Sequence, residues 1–420
     1  MNPHLIELES SSYKPYRTKL LVVGAGPAGI SFGNCLARST KDFLIVDMGA
    51  DLGIRDRDDP FDCVAGAGGA GLFSDGKFSF FPSGTAIWTL PHQNILSDSY
   101  KELQDLFKDS IETEIPEFPS DADISRITSN SSYELKKYPC FYISLEKRKQ
   151  LIRHMTKEIP KILYNHKMVD WGKVDGKYRV KLEDTKTLQK KEIECEQLVL
   201  AGGRFFPLFL NEKKVAKTFK RYEYGVRLVG RNEQFLKVKQ EEILDPKWMY
   251  RPSPELEFRT FCMCKDGEYV CSNFMGIQSY SGRADVPATG YTNFGLTSRI
   301  KAKNNEDFER VLKCGPFEEP LMAVIKNPQM LEVIFGEELG KIYMKGLLKF
   351  IENFELKPEE LKILGPSIEG VGEYPKINEN LQVENENIFV IGDSSGIFRG
   401  IIPSMISGIY IANLIKENFL

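Results

Sequence analysis

Two metal-binding residue types are sparse or scattered in this chain. Only four histidines occur (His4, His92, His154 and His166), and they are spread along 420 residues. The eight cysteines are scattered too, and none forms a C-x-x-C pair. Without clustered ligands of either type, a metal site is not expected. Cys262 and Cys264 stand two apart, which on a strand gives them one shared face. They are expected to be reduced strand residues rather than a redox pair. No apolar run approaches the roughly 18 residues of a membrane span. Met1 to Thr18 is polar and has no apolar signal-peptide core, so a cytoplasmic, soluble protein is expected. Excess charge of either sign is also missing. Lys plus Arg number 56 and Asp plus Glu 59, and the net charge of −3 gives no electrostatic reason to expect nucleic acid or an anionic membrane.

What is present is concentrated between Lys19 and Asp47. The apolar run Leu20-Leu21-Val22-Val23 leads into Gly24-Ala25-Gly26-Pro27-Ala28-Gly29. A helix-like segment, Ile30 to Ala37, follows, and then Leu44-Ile45-Val46-Asp47. This pattern predicts a βαβ unit with a dinucleotide-binding loop. Gly24 allows the tight turn, Gly26 lets the backbone approach a pyrophosphate, and Gly29 lets the helix pack close to the strand. Pro27 falls in the first helical turn, where a missing N–H costs little. The amides around Ala28 and the helix dipole then face the phosphates. Asp47 lies at about the ~20-residue spacing expected of an acid that binds ribose hydroxyls.

The remaining chain is expected to leave this unit twice and return. Residues 1–90 form its first part, 91–144 a surface excursion, and 145–205 a second part containing a β-meander. Residues 206–365 form an inserted α+β substrate domain, and 366–420 a third part of the first unit. Within the first part, Gly68-Gly69-Ala70-Gly71 is too rich in glycine for a helix or strand interior and suits a loop pressed against a flat or phosphorylated group. Gly71 to Lys77 comes close to a phosphate-binding P-loop, but Phe78 stands where a Ser or Thr would hold magnesium, so nucleotide hydrolysis is not expected. An amphipathic helix is predicted over 145–159, and Asp175-Gly176 signals a hairpin turn in the meander. The meander ends in Leu200-Ala201-Gly202-Gly203, and a late strand ends in Ile391-Gly392-Asp393 before a glycine turn and an apolar helix. No second GxGxxG follows a strand, so a separate nicotinamide domain is not expected.

Taken together, the GAGPAG loop with Asp47, Leu200-Ala201-Gly202-Gly203 and Ile391-Gly392-Asp393 resemble the FAD-binding elements of the glutathione-reductase-like flavoprotein superfamily, over a little under half the chain. The Gly68 to Lys77 stretch and Arg259-Thr260-Phe261-Cys262-Met263-Cys264 are similar to those of a family of FAD-dependent dehydrogenases within it. The resemblance implies a Rossmann-like α/β FAD-binding domain and hydride transfer between a small organic substrate and the flavin. It implies that Asp47 binds the adenosine ribose, Met168 the adenine, and Gly68, Gly69 and Ala70 the flavin or ribityl chain. Ala201 and Gly202 belong to the cofactor set as well. Gly392 and Asp393 are expected at the ribityl chain, and the helix starting at Ile401 and Ile402 at the flavin N1–C2=O edge. Lys77 is expected to neutralise a phosphate or hold a substrate carboxylate, and Arg283, beside Tyr280, to meet an anionic substrate. These three are the candidate catalytic residues. The electron partner stays open among oxygen, a quinone, a protein carrier and transient NAD(P)H. Two alternatives are an FAD-dependent monooxygenase, which would usually show an additional Asp-Gly element, and a non-redox lipid- or partner-binding protein of the same fold. The presence of both Asp47 and Asp393 argues against the latter.

Overall fold

The computed structural model describes residues 15–125, 133–239 and 242–419. His4 and most of the polar N-terminal segment lie outside them. Among the described residues, two large sheets organise the chain, each seven-stranded. In the first, Ile162–Leu163, Phe43–Val46, Tyr16–Val23 and Lys190–Leu200 run parallel in that order, and Ile388–Val390 joins Lys190–Leu200 in parallel. Lys177–Asp184 and His166–Val174 complete it as antiparallel neighbours, which is the expected meander. Its hairpin turn has Asp175 at φ 52° and Gly176 at φ 80°, the left-handed pair that such a turn requires.

Both faces are covered where the parallel strands meet, which is why Leu20 to Val23, Phe43 to Val46, Leu198 to Leu200 and Ile388 to Val390 read as short apolar runs. Leu20 and Val22 face one core, and Leu21 and Val23 face another that contains Trp171, Tyr178 and Val180 of the meander. Helices Pro27–Leu36, Gln93–Ile111, Leu145–Thr156 and Ile401–Phe419 supply the first core. The Ile401–Phe419 helix lies so close to Pro27–Leu36 that a Cβ on Gly408 would come within 2.2 Å of the Ala28 carbonyl oxygen. The chain is therefore α/β, with a Rossmann-like unit and a second, sheet-rich unit.

The second sheet is antiparallel, in the order Phe317–Pro320, Lys362–Pro375, Lys217–Arg231, Tyr291–Ile300, Leu256–Cys264, Lys247–Ser253, Tyr133–Lys136. One face packs on helices: Tyr222, Tyr224, Val226 and Leu228 meet Phe308, Phe335, Tyr343 and Phe350 in one core. The alternate residues Arg221 and Glu223 point to the other face, as the two-residue period of a strand demands.

Two expected boundaries move. The segment 91–144 is no surface excursion: Ile95, Leu96, Tyr100, Leu103 and Phe107 recur at helical spacing and are buried in the first core. Within the same segment, Tyr133–Lys136 is the edge strand of the second sheet. The substrate unit does not end at 365 either, because Lys362–Pro375 pairs along Lys217–Arg231, and the return to the first unit follows Pro375.

Candidate functional site

A cavity of about 880 Å³ runs between the two units. One end is made of backbone. The Pro27–Leu36 helix begins at Gly26 without a side-chain cap, and Gly26, Pro27 and Ala28 line the cavity, so the open helix terminus faces it. Two glycines of the loop that positions this terminus leave no room for a side chain. A Cβ on Gly24 (φ 114°) would lie 2.3 Å from the Ala201 carbonyl oxygen, and one on Gly29 would lie 1.9 Å from the Gly24 carbonyl oxygen. Gly29 thus supports the loop from behind and does not line the cavity. Gly69, Ala70 and Gly71 line the facing wall, whereas Gly68 is turned toward Ile152 and donates its N–H to the Ala25 carbonyl (2.8 Å).

Asp47 lines the same end with its carboxylate engaged by backbone. Oδ2 accepts from the Ala25 N–H (2.6 Å), and Oδ1 from the Gly49 and Gly66 N–H groups (both 2.8 Å). It clips three loops together at the cavity wall. A carboxylate has about four acceptor positions, so one remains for an incoming hydroxyl. His166 and Met168 line the wall next to it, on the first long strand of the meander.

In the middle of the cavity, Ala201, Gly202, Gly392, Asp393, Gly400 and Ile401 converge from the ends of two parallel strands and the start of the Ile401–Phe419 helix. Asp393 lies inside the short 3-10 turn Gly392–Ser395, whose N-cap position is Ile391. Its Oδ2 faces Arg204 Nε at 3.5 Å. Ile402 is fully buried in the first core and does not line the cavity.

The other end is made of side chains. Glu223 is buried, accepts from Arg299 (2.9 Å) and Arg221 (3.3 Å), and forms an ion pair with Arg399 (3.0 Å). Burial alone would raise its pKa, but these arginines outweigh it and hold the carboxyl well below the usual range. Arg399 and Arg204 also pair with Glu369. Lys136, Lys247 and Arg259 line the same end. Apart from Arg259, which heads a motif quoted above, none of these charged groups was singled out from the sequence. The available signal was Arg221-Tyr222-Glu223-Tyr224, in which charges alternate with aromatics on a strand with no solvent-facing side.

The three expected catalytic residues fall elsewhere. Lys77 touches the cavity wall, but its ammonium is spent on Asp75 (2.9 Å), Asp245 (3.2 Å) and the Met263 carbonyl. Burial would lower its pKa; Asp245 and Asp75 overcome this and hold it charged. A cation so enclosed is a brace between the Rossmann-like unit and the second sheet, with no reach toward a phosphate or substrate. Arg283 and Tyr280 are absent from the cavity lining. Arg283 is buried and binds Asp58 (3.1 Å) and Glu268 (3.0 Å), pinning the loop after Asp47 to the Glu268–Arg283 hairpin. Tyr280 packs edge-on against Tyr269, and its carbonyl accepts from the Ser367 hydroxyl (2.9 Å).

Cys262 and Cys264 do not share a flat strand face. Cys262 has φ 49° in an irregularity that breaks pairing between Phe261 and Cys264. The ligand atoms of Asp75, Cys262 and Cys264 consequently lie within 4.8 Å of one another. Two buried cations face this group: Lys77 at Asp75 (2.9 Å) and the fully buried Arg227 guanidinium, 3.6 and 3.9 Å from the two sulfurs.

Fold and site together define a two-unit α/β protein whose Rossmann-like loop opens on a cavity roofed by a second sheet. Residues 22–108 match the family described as NAD(P)-binding Rossmann-like domain. That span includes the start of the Gln93–Ile111 helix, in agreement with its packing in the first core. No curated protein matches the chain. Similar solved structures include the substrate-free rebeccamycin biosynthetic enzyme RebC, at 12% identity and TM-score 0.37, with 94% of this chain and 61% of that one covered. Others are a geranylgeranyl bacteriochlorophyll reductase-like protein from Thermoplasma acidophilum (13% identity, TM-score 0.45, 96% and 79% covered) and the OxyS anhydrotetracycline hydroxylase from Streptomyces rimosus (10% identity, TM-score 0.43, 96% and 63% covered). The chain thus spans less than two thirds of the length of RebC and of OxyS. Among the described residues, no helix is long and apolar enough to cross a membrane.

Proposed function

We propose that this chain is an FAD-dependent oxidoreductase acting on a small organic molecule by hydride transfer. The observation that carries the reading is the single cavity, which joins an uncapped glycine-loop helix terminus to a charged sheet face by way of Gly392, Asp393 and Ile401. A mononucleotide-sized slot would end at Asp47 and Gly26, whereas this one continues past the Gly69–Gly71 wall to the second unit. FAD fits that extent and the donors along it. In this reading the Ala28 end of the first helix meets the pyrophosphate, Asp47 offers its remaining acceptor position to the adenosine ribose, and the wall at Met168 meets the adenine. Asp393 accepts from a ribityl hydroxyl while Arg204 holds its carboxylate in place. The start of the Ile401–Phe419 helix directs its positive end at the ring edge that gains charge on reduction.

FAD, when bound, supplies the two-electron chemistry itself. The chain's own work is to hold the ring against the floor of the second sheet, to orient the substrate there and to keep water out.

The absorption spectrum of the purified protein tests this directly. Flavin bands, with FAD rather than FMN or NAD(P)H released on heating, are the expected result, and Asp393→Ala should lose much of the colour. A colourless protein that takes up no added FAD would overturn the proposal.

A further inference from the structure

Lys136 and Lys247 are direct partners across adjacent antiparallel strands, and both line the cavity. Like charges placed directly opposite each other on one face are destabilising. Here they also lack compensation. Neither ammonium has a carboxylate within ion-pair distance among the described residues; Lys136 has only the Thr85 hydroxyl at 3.4 Å, and Lys247 lies 5.4 Å from the centre of the Tyr138 ring. Asp245, which attracts Lys247, is already bound by Lys77 and by the Tyr138 hydroxyl (2.8 Å). Arg259, on the next strand, is held by Glu257 through Nε (2.7 Å) and Nη2 (2.6 Å), which leaves Nη1 without a partner among the described residues.

Three cations therefore converge on one end of the cavity with nothing to neutralise two of them. All three are half-buried, and charges drawn out of water are normally paired, so the arrangement is that of a site whose counter-charge arrives with a ligand. The neighbouring arginines do not fill this role: Arg299 and Arg399 are already matched by Glu223 and Glu369.

We propose that Lys136, Lys247 and Arg259 form an oxoanion floor, and that the substrate of the reaction proposed above carries a carboxylate or phosphate group seated on it. The inference rests on the oxidoreductase reading only for the word substrate; the anion site itself is a property of the second sheet. The oxoanion anchors one end of the molecule, and the opposite end lies toward Gly392 and Ile401, where the reacting carbon belongs.

The test is a thermal-shift titration of the purified protein with succinate, with inorganic phosphate and with neutral succinamide, ionic strength being held constant with sodium chloride. FAD content is measured on the same samples. Succinate or phosphate should raise Tm saturably, and succinamide should not; preference for one of the two anions assigns a carboxylate or a phosphorylated substrate. Lys136→Met and Lys247→Met should each weaken anion binding by about tenfold or more, as expected for losing one charged hydrogen bond. Their ligand-free Tm should equal or exceed that of the parent, because repulsion is relieved, and Lys247→Arg should keep most of the affinity. A yellow protein whose Tm ignores both anions at about 10 mM would overturn the anion floor and leave the flavin reading standing. So would anion binding that is unchanged in both Met variants. A colourless protein that refuses FAD yet binds succinate through these lysines would keep the floor and sink the oxidoreductase.

Discussion

The two ends of the cavity recognise by opposite means. At the Rossmann-like end the walls are glycine backbone, and Asp47 spends its carboxylate on the amides of Ala25, Gly49 and Gly66. At the sheet end the walls are long charged side chains braced against one another around Glu223 and Glu369. A backbone wall suits a ligand that is always the same, since its shape depends on turns that admit few substitutions. A side-chain wall can be retuned one residue at a time while the sheet beneath it stays intact. Under the proposed function, the first end holds the constant part of the chemistry and the second the specific part.

The largest effect should come from the backbone end. Gly29→Ala forces a Cβ to 1.9 Å from the Gly24 carbonyl oxygen, a backbone atom that cannot step aside. A loss of about 3 kcal/mol of stability is expected, together with loss of the bound cofactor, read by thermal melting and flavin content. Asp245→Ala comes next. It strips a buried carboxylate from Lys77 and Tyr138, and breaking such a pair costs about 3 kcal/mol. Burial opposes ionisation of Asp245, but Lys77 and Lys247 hold its pKa below the ordinary carboxylate value. A depressed carboxylate contributes stability that is present above the unfolded value, about 4, and lost only as pH falls through the lower folded one. The Tm gap between parent and variant should therefore persist unchanged from neutral pH down to about pH 4; a gap that closes near pH 6 would contradict the pairing. Glu223→Gln should cost less, about 2 kcal/mol, and should act in opposite senses on the two properties. It lowers Tm by releasing Arg221, Arg299 and Arg399, yet it tightens succinate or phosphate binding severalfold by adding positive charge to the floor.

The same contrast explains which parts could be read from sequence. Glycine geometry is local: Gly24 to Gly29, Asp47 after the second strand, and the Asp175-Gly176 turn are written in adjacent residues. Gly392 and Asp393 were legible because they end an apolar strand. The floor was not, because Lys136, Lys247 and Arg259 come from three strands whose pairing brings together positions more than 120 residues apart in sequence. Lys77 and Arg283 were found as charged residues in suggestive loops, but sequence could not show that Asp75, Asp245, Asp58 and Glu268 would consume their charge. The Gln93–Ile111 helix was misplaced for a related reason. Its polar residues are plain in the sequence, whereas the helix it packs on, Ile401–Phe419, lies at the other end of the chain.

The smallest and most diagnostic effect is a pH profile of the floor. Burial lowers the Lys136 pKa to about 8, aided by the cations that face it: Lys247 on the neighbouring strand, Arg259 and Arg299 on the strands beyond, with Glu134 on its own strand pulling the other way. Lys247 is lowered as well, by burial and then by Arg259, against the attraction of Asp245 and Glu223. Between about pH 8 and the unfolded value near 10.4, the unfolded chain binds more protons at Lys136 than the folded one, so the ligand-free protein gains stability from this residue as pH rises. Anion binding needs the charged form and has the reverse slope. The Tm increment produced by succinate or phosphate should therefore shrink as pH passes upward through about 8, while the contribution of Lys136 to ligand-free Tm rises over the same interval. In Lys136→Met both slopes should flatten. A surface patch of ordinary lysines would hold its charge until near pH 10.4 and show neither trend, so the crossing of the two curves separates a floor waiting for its counter-ion from a merely basic face.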